Sequence, residues 1–361
     1  MKADGNRVCN IGIVGSGWIS ENAYLPALLK NTNVKIVSVY DTDYIRAEKL
    51  ADQVHYAKAY KDYDLFLKSD IVGVIICTPN ATHKDCTVKA LQQGKHVLCE
   101  KPVAVNVLEL MEIKKIIQET GLLYVPGFVN RYREDVNKLR QIITSGLIGD
   151  VKRVEGCWIR ENGIPRPGSW FTEKSLSGGG ALIDLGSHII DICLLLGGNT
   201  RVARINNSVE FCYDNHRDME AKWFEGDRDR IFMINVESSA KAEMILINNV
   251  EVLVELSWNK STKNDYTQFK VYGTKGKVEL NTLFGFSTQR KWEQPNIKVM
   301  ADGKPSYNIP FEWDDLQPVV SFERLCNYFV QSIFRGETTE LEIEDGIRTV
   351  QTIDLIYQGG N

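Results

Sequence analysis

Asp184, His188 and Asp191 stand at i, i+4 and i+7 in a stretch otherwise rich in Leu and Ile. On a helix that spacing lines them up as one polar stripe. A carboxylate beside an imidazole can take a proton near neutral pH, because the ordinary pKa of histidine lies in the physiological range. The same pair can also satisfy itself inside a core, as buried polar groups commonly do. Spacing alone leaves both readings open.

A second constellation follows the apolar run Cys9–Val14. In Gly15-Ser16-Gly17-Trp18-Ile19-Ser20 a strand should pass into a helix. Gly15 permits the tight turn and Gly17 lets the backbone approach a pyrophosphate. The helix start at Trp18 and Ile19 offers N–H groups and the positive end of a dipole. Ser20 stands where Gly or Ala is usual, and a glycine-rich turn with no ligand shares this pattern. Asp41 strengthens the dinucleotide reading. It ends the second strand, about 20 residues past the turn, where an acid can bond the adenosine ribose hydroxyls and repel a 2′-phosphate. NAD is therefore favoured over NADP, with Arg46 one helical turn beyond as the counterweight. Pro26 predicts that the helix restarts or kinks there.

These residues need a frame. From Val8 to about Phe128, short β-branched runs alternate with amphipathic stretches, which predicts βαβ units and a parallel sheet. Strands are expected at Cys9–Val14, Lys35–Tyr40, Ile71–Cys77, His96–Cys99 and Leu122–Val125. The run Ile71–Cys77 is apolar on both faces, as a central parallel strand should be. After a helix over Tyr132–Ser145 the texture changes. Val151–Ile159, Arg201–Phe211, Ser238–Ile247, Val250–Trp258, Gln268–Gly273 and Lys277–Leu280 read as strands, with hairpin turns at Asn248-Asn249 and Thr274-Lys275-Gly276. Helices over Ser177–Gly198, Leu316–Arg335 and Glu344–Tyr357 complete that half. The expected architecture is α/β: an N-terminal Rossmann domain with a parallel sheet (residues 1–129), then a C-terminal α+β domain with a mostly antiparallel open sheet (residues 130–361).

With 361 residues, two domains can each bury a core. Hydrophobic residues at 43% and charged residues at 25% indicate a globular chain rather than a disordered one. A net charge of −4 provides no basic field for nucleic acid. The polar start lacks the apolar core of a signal peptide, and no apolar run is long enough to span a bilayer, so a cytoplasmic protein with no membrane partner is expected. The 8 cysteines include no C-x-x-C pair, which argues against both a disulfide framework and a zinc knuckle. No metal site is expected.

Two further segments lie at the carboxyl ends of parallel strands, where an open α/β sheet binds ligands. They are Cys77-Thr78-Pro79-Asn80-Ala81-Thr82-His83 and Cys99-Glu100-Lys101-Pro102. With Gly178-Gly179-Gly180-Ala181-Leu182-Ile183-Asp184-Leu185-Gly186-Ser187-His188-Ile189-Ile190-Asp191 and a late Tyr272-Gly273-Thr274-Lys275-Gly276 turn, the chain resembles the glucose-fructose oxidoreductase, inositol dehydrogenase and rhizopine-catabolism (Gfo/Idh/MocA) family over nearly its whole length.

The resemblance implies an NAD-dependent dehydrogenase acting on a secondary hydroxyl of a sugar, sugar derivative or cyclitol. It implies Lys101 beside the nicotinamide, with Asp184 and His188 completing the catalytic set, and Glu100 by the nicotinamide ribose. Gly15, Gly17, Trp18, Ile19, Asp41, Thr78, Asn80 and His83 are the remaining cofactor candidates. Pro79 and Asn80 also suit a plain turn, and His83 a plain helix start. Arg131, Arg160 and Trp170 are substrate candidates. The aromatics of this region can stack on a sugar ring and its cations can pair with a phosphate or carboxylate, while packing with a solvated rim explains them equally well. Two alternatives share the fold: glycosidic-bond cleavage through a transient keto-sugar, and a non-catalytic NAD- or sugar-binding regulator. Relatives imply a homodimer or homotetramer formed through the open sheet.

Overall fold

The structure, a computed structural model, describes residues 7–206, 209–213, 220–221, 233–260, 262–338 and 341–359. The chain divides into two compact units, residues 1–129 with 319–347, and residues 130–318 with 348–361.

In the first unit the described strands are β1 (Cys9–Val14), β2 (Val34–Tyr40), β3 (Lys58–Tyr60), β4 (Gly73–Ile76), β5 (His96–Glu100) and β6 (Tyr124–Gly127). They form one sheet in the order β3-β2-β1-β4-β5-β6, every neighbouring pair parallel. This is the Rossmann order, whose reversal between β1 and β4 leaves a crevice at the carboxyl ends of the strands. β4 is buried along its whole length, as its unbroken apolar sequence demands. β3 has three residues, too few for a periodic pattern to show in sequence.

The connecting helices are α1 (Leu25–Leu29), α2 (Tyr44–Ala51), α3 (Tyr63–Leu67), α4 (His83–Gln92) and α5 (Val107–Thr120). Side chains of Asp43, Asp62 and Asn106 accept backbone N–H groups at the starts of α2, α3 and α5. The helix after the glycine turn passes through a π-turn at Ser20–Tyr24 before α1 resumes. Pro26 comes just after that π-turn, so a residue that cannot donate an N–H sits where the helical ladder is already rearranged.

In the second unit the described strands are β7 (Val151–Ile159), β8 (Val202–Ile205), β9 (Glu210–Cys212), β10 (Ser239–Leu246), β11 (Glu251–Ser257), β12 (Tyr266–Gly273), β13 (Gly276–Thr282), β14 (Asn296–Ala301) and β15 (Tyr307–Pro310). The order is β15-β14-β13-β12-β7-β11-β10-β8, with β9 also on β10. β7 and β11 run parallel and the other pairs antiparallel. The run expected as one strand over Arg201–Phe211 is two, and residues 207–208 between them lie outside the described residues.

One face of this sheet is the core: along β10, Ala240, Ala242, Met244 and Leu246 are buried and their neighbours are not. The helices of this unit begin with α6 (Glu134–Thr144), α7 (Lys174–Ser177), α8 (Ala181–Asp184) and α9 (Gly186–Leu196), of which α9 is buried almost throughout. On the opposite face of β11, Glu251, Leu253 and Glu255 are exposed or half-buried, so the only apolar residue that strand turns outward lies between two acids.

The last helices are α10 (Pro318–Arg335) and α11 (Leu341–Tyr357). Sequence order places both in the second domain, yet from Val319 to Ile347 the chain belongs to the first unit. α10 buries Phe322, Leu325, Cys326, Phe329 and Val330, spaced i, i+3, i+4, i+7 and i+8. Phe322 packs edge-on to Tyr24 at 4.9 Å, and Phe329 lies 3.1 Å from where a Cβ on Gly73 would stand. Among the described residues no single helix is long and apolar enough to cross a membrane.

Candidate functional site

The glycine turn closes on β1, β2 and the loop after β4. Gly15 has φ +92°, and a Cβ there would meet the Cys77 backbone at 2.9 Å, so only glycine fits. A Cβ on Gly17 would have nothing within 4 Å. Space beside Gly17 is what a pyrophosphate approaching the backbone requires, and the turn fits a dinucleotide on that ground. The Ser20 hydroxyl donates to the Gly15 carbonyl at 2.5 Å, so the residue that departs from the usual motif braces the turn from within. Trp18 and Ile19 form the first helical positions after it. Asp41 accepts from the Ser16 N–H at 2.7 Å and from the Asp43 N–H at 2.9 Å, which ties the end of β2 to the glycine turn. Arg46 pairs with Asp43 at 3.4 Å.

The loops after β4 and β5 carry the other candidates of this unit. Thr78 and Thr82 share a hydroxyl hydrogen bond of 2.8 Å, Asn80 is buried, and His83 opens α4 fully buried. Glu100 is buried. It accepts from the Tyr24 hydroxyl at 2.8 Å and from the Lys101 N–H at 2.9 Å. Burial and the Glu100 charge hold the Tyr24 phenol well above its ordinary pKa, so it stays protonated as the donor. Tyr24 is a residue sequence reasoning missed, because a tyrosine in an apolar helical stretch reads as core.

In the second unit the expected single stripe is divided between two helices. Lys174–Asp184 and Gly186–Leu196 meet at 46°, with Asp184 ending α8 and His188 and Asp191 on α9. Asp184 accepts from the Trp258 indole N–H at 3.0 Å and lies 3.7 Å from an Arg160 Nη. Arg160 is buried, stacks over Trp158 at 4.7 Å and donates to the Gly163 carbonyl at 3.1 Å, so it is no solvated rim residue. Burial pulls its pKa below the usual guanidinium value, while Asp184 and Asp265 pull it back up. His188 is 8% exposed, its ring 5.8 Å from that of Trp158.

Asp191 receives Arg131 in a two-point grip, Nε at 2.8 Å and Nη2 at 2.6 Å. Such a fork fixes orientation as well as charge. Trp170 is half-buried and begins an aromatic series, 4.7 Å from Phe171, which lies 6.4 Å from Trp258. Trp258 also escaped sequence reasoning; its signal would have been a tryptophan at the end of a strand, where an indole N–H needs an acceptor.

Glu237 completes this half, again unforeseen. Its Oε1 accepts from the Gly180 N–H, the Leu182 N–H and the Tyr357 hydroxyl at 3.0, 2.9 and 2.8 Å. Cβ atoms on Gly179 and Gly180 would collide with the Tyr357 hydroxyl and the Glu237 carbonyl. The triple glycine therefore admits this clamp at the start of the helix that ends in Asp184.

Comparison with known proteins bears on both units. Residues 9–128 match the Gfo/Idh/MocA oxidoreductase family with its NAD-binding Rossmann fold, and residues 136–279 match the C-terminal domain of the same family. The uncharacterised oxidoreductase ORF334 of Rhizobium meliloti is 32% identical over 96% of this chain and 95% of its own length. The D-glucoside 3-dehydrogenase of Escherichia coli is 31% identical over 54% of this chain and 56% of its own. A 3-ketoreductase from Actinomadura kijaniata, solved with NADP and TDP-benzene, shares the fold with a TM-score of 0.76 at 19% identity, covering 98% of each chain. From its first strand to the strands of the open sheet, this chain belongs to the Gfo/Idh/MocA family of oxidoreductases.

Proposed function

We propose that the chain uses NAD to oxidise a secondary hydroxyl of a sugar, sugar derivative or cyclitol to a ketone, or runs the reverse reduction. It does so in the cytoplasm as a homodimer or homotetramer. The observation that carries this reading is the setting of Asp184 and His188, both 8% exposed, with the acid held by an indole N–H and a guanidinium one turn before the imidazole.

A carbinol carbon gives up hydride only as its hydroxyl loses a proton, so a base must reach that oxygen. His188 takes this proton. Asp184, held by Trp258 and Arg160, orients the imidazole or a neighbouring substrate hydroxyl. Lys101 donates a hydrogen bond to the reacting oxygen and stabilises its developing negative charge. The nicotinamide ring, when bound, supplies the hydride acceptor. Gly15, Gly17, Trp18 and Ile19 present backbone to the pyrophosphate, Thr78 and Asn80 line the same cofactor, and Glu100 holds the nicotinamide ribose. Arg131 and Arg160 act through the acids they grip, and Trp170 offers its ring to the sugar.

Asp41 supports NAD over NADP: Ser16, Asp43 and, at 3.4 Å, the Thr42 hydroxyl donate to it, which leaves acceptor capacity for a ribose hydroxyl and a charge that repels a 2′-phosphate. Arg46 pairs with Asp43 instead of awaiting that phosphate. The similarity to a glucoside 3-dehydrogenase makes glucosides oxidised at carbon 3 the first substrates to test. The experiment is NADH absorbance across glucosides, sugar phosphates, nucleotide sugars, aminosugars and cyclitols, with calorimetric titration of NAD and NADP. Turnover in one class and tighter NAD binding are expected. No NADH from any class sinks the reaction, and equal or tighter NADP binding sinks the cofactor assignment.

A further inference from the structure

His83 begins α4 fully buried, and neither of its ring nitrogens faces an apolar neighbour. Nδ1 lies 2.7 Å from the Pro102 carbonyl oxygen and Nε2 lies 2.8 Å from the Thr78 carbonyl oxygen. Carbonyl oxygens only accept. A neutral imidazole has a single N–H, so it can serve one of these oxygens and must set a lone pair against the other, whereas an imidazolium donates to both. Burial lowers the ring's pKa below 6.5 and, with the charge of Lys101, outweighs the two carbonyls that raise it. Against that stands the geometry, two carbonyl oxygens at 2.7 and 2.8 Å that only a doubly protonated ring can serve together.

The two carbonyls belong to different loops. Thr78 follows β4, and its methyl group lies 3.0 Å from where a Cβ on Gly15 would stand, so this loop backs the glycine turn. Pro102 follows β5 directly after Glu100 and Lys101. One ring thus spans the loop assigned to cofactor contact and the loop assigned to the nicotinamide ribose and the reacting oxygen. We infer that His83 is a positioning residue which donates to Thr78 and Pro102 together and so fixes the separation of these two loops. The inference rests on the roles proposed above for the loops, while the clamp itself rests on the ring's contacts.

The two halves of the clamp can be cut separately. An Asn side-chain nitrogen is as many bonds from Cβ as Nδ1, and a Gln nitrogen as many as Nε2. H83N therefore keeps the Pro102 bond and frees the Thr78 loop, and H83Q does the reverse. A hydrogen bond is worth roughly a factor of ten. H83N is expected to weaken NAD binding about tenfold and keep kcat at saturating cofactor, whereas H83Q is expected to lose about tenfold in kcat and keep NAD affinity.

Nitrogen NMR of histidine-labelled protein at neutral pH reads the clamp without any turnover, with the His83 signals identified by their loss in H83N. Two protonated ring nitrogens support the inference and a single one overturns it. Equal loss of binding and turnover in both variants, or no loss in either, also overturns it. If no substrate is turned over by the unaltered protein, two protonated nitrogens with weakened NAD binding in H83N alone uphold the clamp, and the reaction proposed above is what fails.

Discussion

At the scale of single residues, the chemistry depends on groups whose neighbours fix their orientation. His188 and Lys101 are assigned to the proton and to the reacting oxygen, and removal of such a group usually costs on the order of a hundred- to ten-thousand-fold in rate. His188→Ala and Lys101→Ala are each expected to fall by about that much while still binding NAD. Steady-state kinetics paired with cofactor titration check this, and turnover within a fewfold of the unaltered protein removes that residue from the assignment. The acids and bases were legible because their spacing is a sequence property. Their supports were not: Tyr24 reaches Glu100 from 76 positions away and Trp258 reaches Asp184 from 74, and a distant donor leaves no local pattern. Arg131 and Arg160 were legible as cations near the right motif, but only the folded chain gives their partners as Asp191 and Asp184.

At the scale of elements, the segment bearing Asp184 starts on a buried carboxylate. Burial pushes the Glu237 carboxyl above its ordinary 4.5, against the pull of its backbone and Tyr357 donors. A proton held more tightly in the folded chain than in the unfolded one contributes stability in full below that ordinary value. The contribution is lost as pH rises through the folded value. Glu237→Gln keeps an oxygen for Gly180, Leu182 and Tyr357 and has nothing to ionise. Thermal unfolding of both proteins from below pH 4.5 to neutrality is expected to show the unaltered protein losing more stability than the variant. Parallel curves would mean that Glu237 does not titrate in this window. The parallel strands were legible from their apolar runs, and the helical stretch from its Leu and Ile content. The break at Leu185 was not, although Gly186-Ser187 just after it is a pair at which helices kink, because the even spacing of Asp184, His188 and Asp191 reads as one unbroken stripe.

For the whole molecule, sequence order suggested one boundary near residue 129, because the change from alternating βα units to consecutive strands occurs there. The return of residues 319–347 to the first unit is invisible to that argument, since an amphipathic helix does not state which sheet it covers. A fragment ending at Val129 leaves Tyr24 and the Gly73 face without α10 and exposes a contiguous apolar patch. It is expected to aggregate or to lack cooperative unfolding by circular dichroism, and a soluble, cooperative fragment would show that α10 is dispensable. The open sheet face makes a different prediction. Its half-buried Tyr266, Tyr272 and Leu253 lie among charged and amide side chains, a surface suited to another copy of itself. Light scattering at micromolar concentration is expected to give a multiple of the chain mass, and a monomer rejects the oligomer.

The interrupted first unit also sets an order of events during synthesis. A ribosome completes the strands of the first sheet at Gly127, but the helix that covers one of its faces leaves the exit tunnel some two hundred residues later, roughly ten to forty seconds at ordinary elongation rates. During that interval α1 to α5 are already made, but the patch at Tyr24 and Gly73 stays bare and depends on chaperones or on the growing chain for protection. A message truncated before that helix would thus yield a ward of the quality-control machinery in place of a spare cofactor-binding domain.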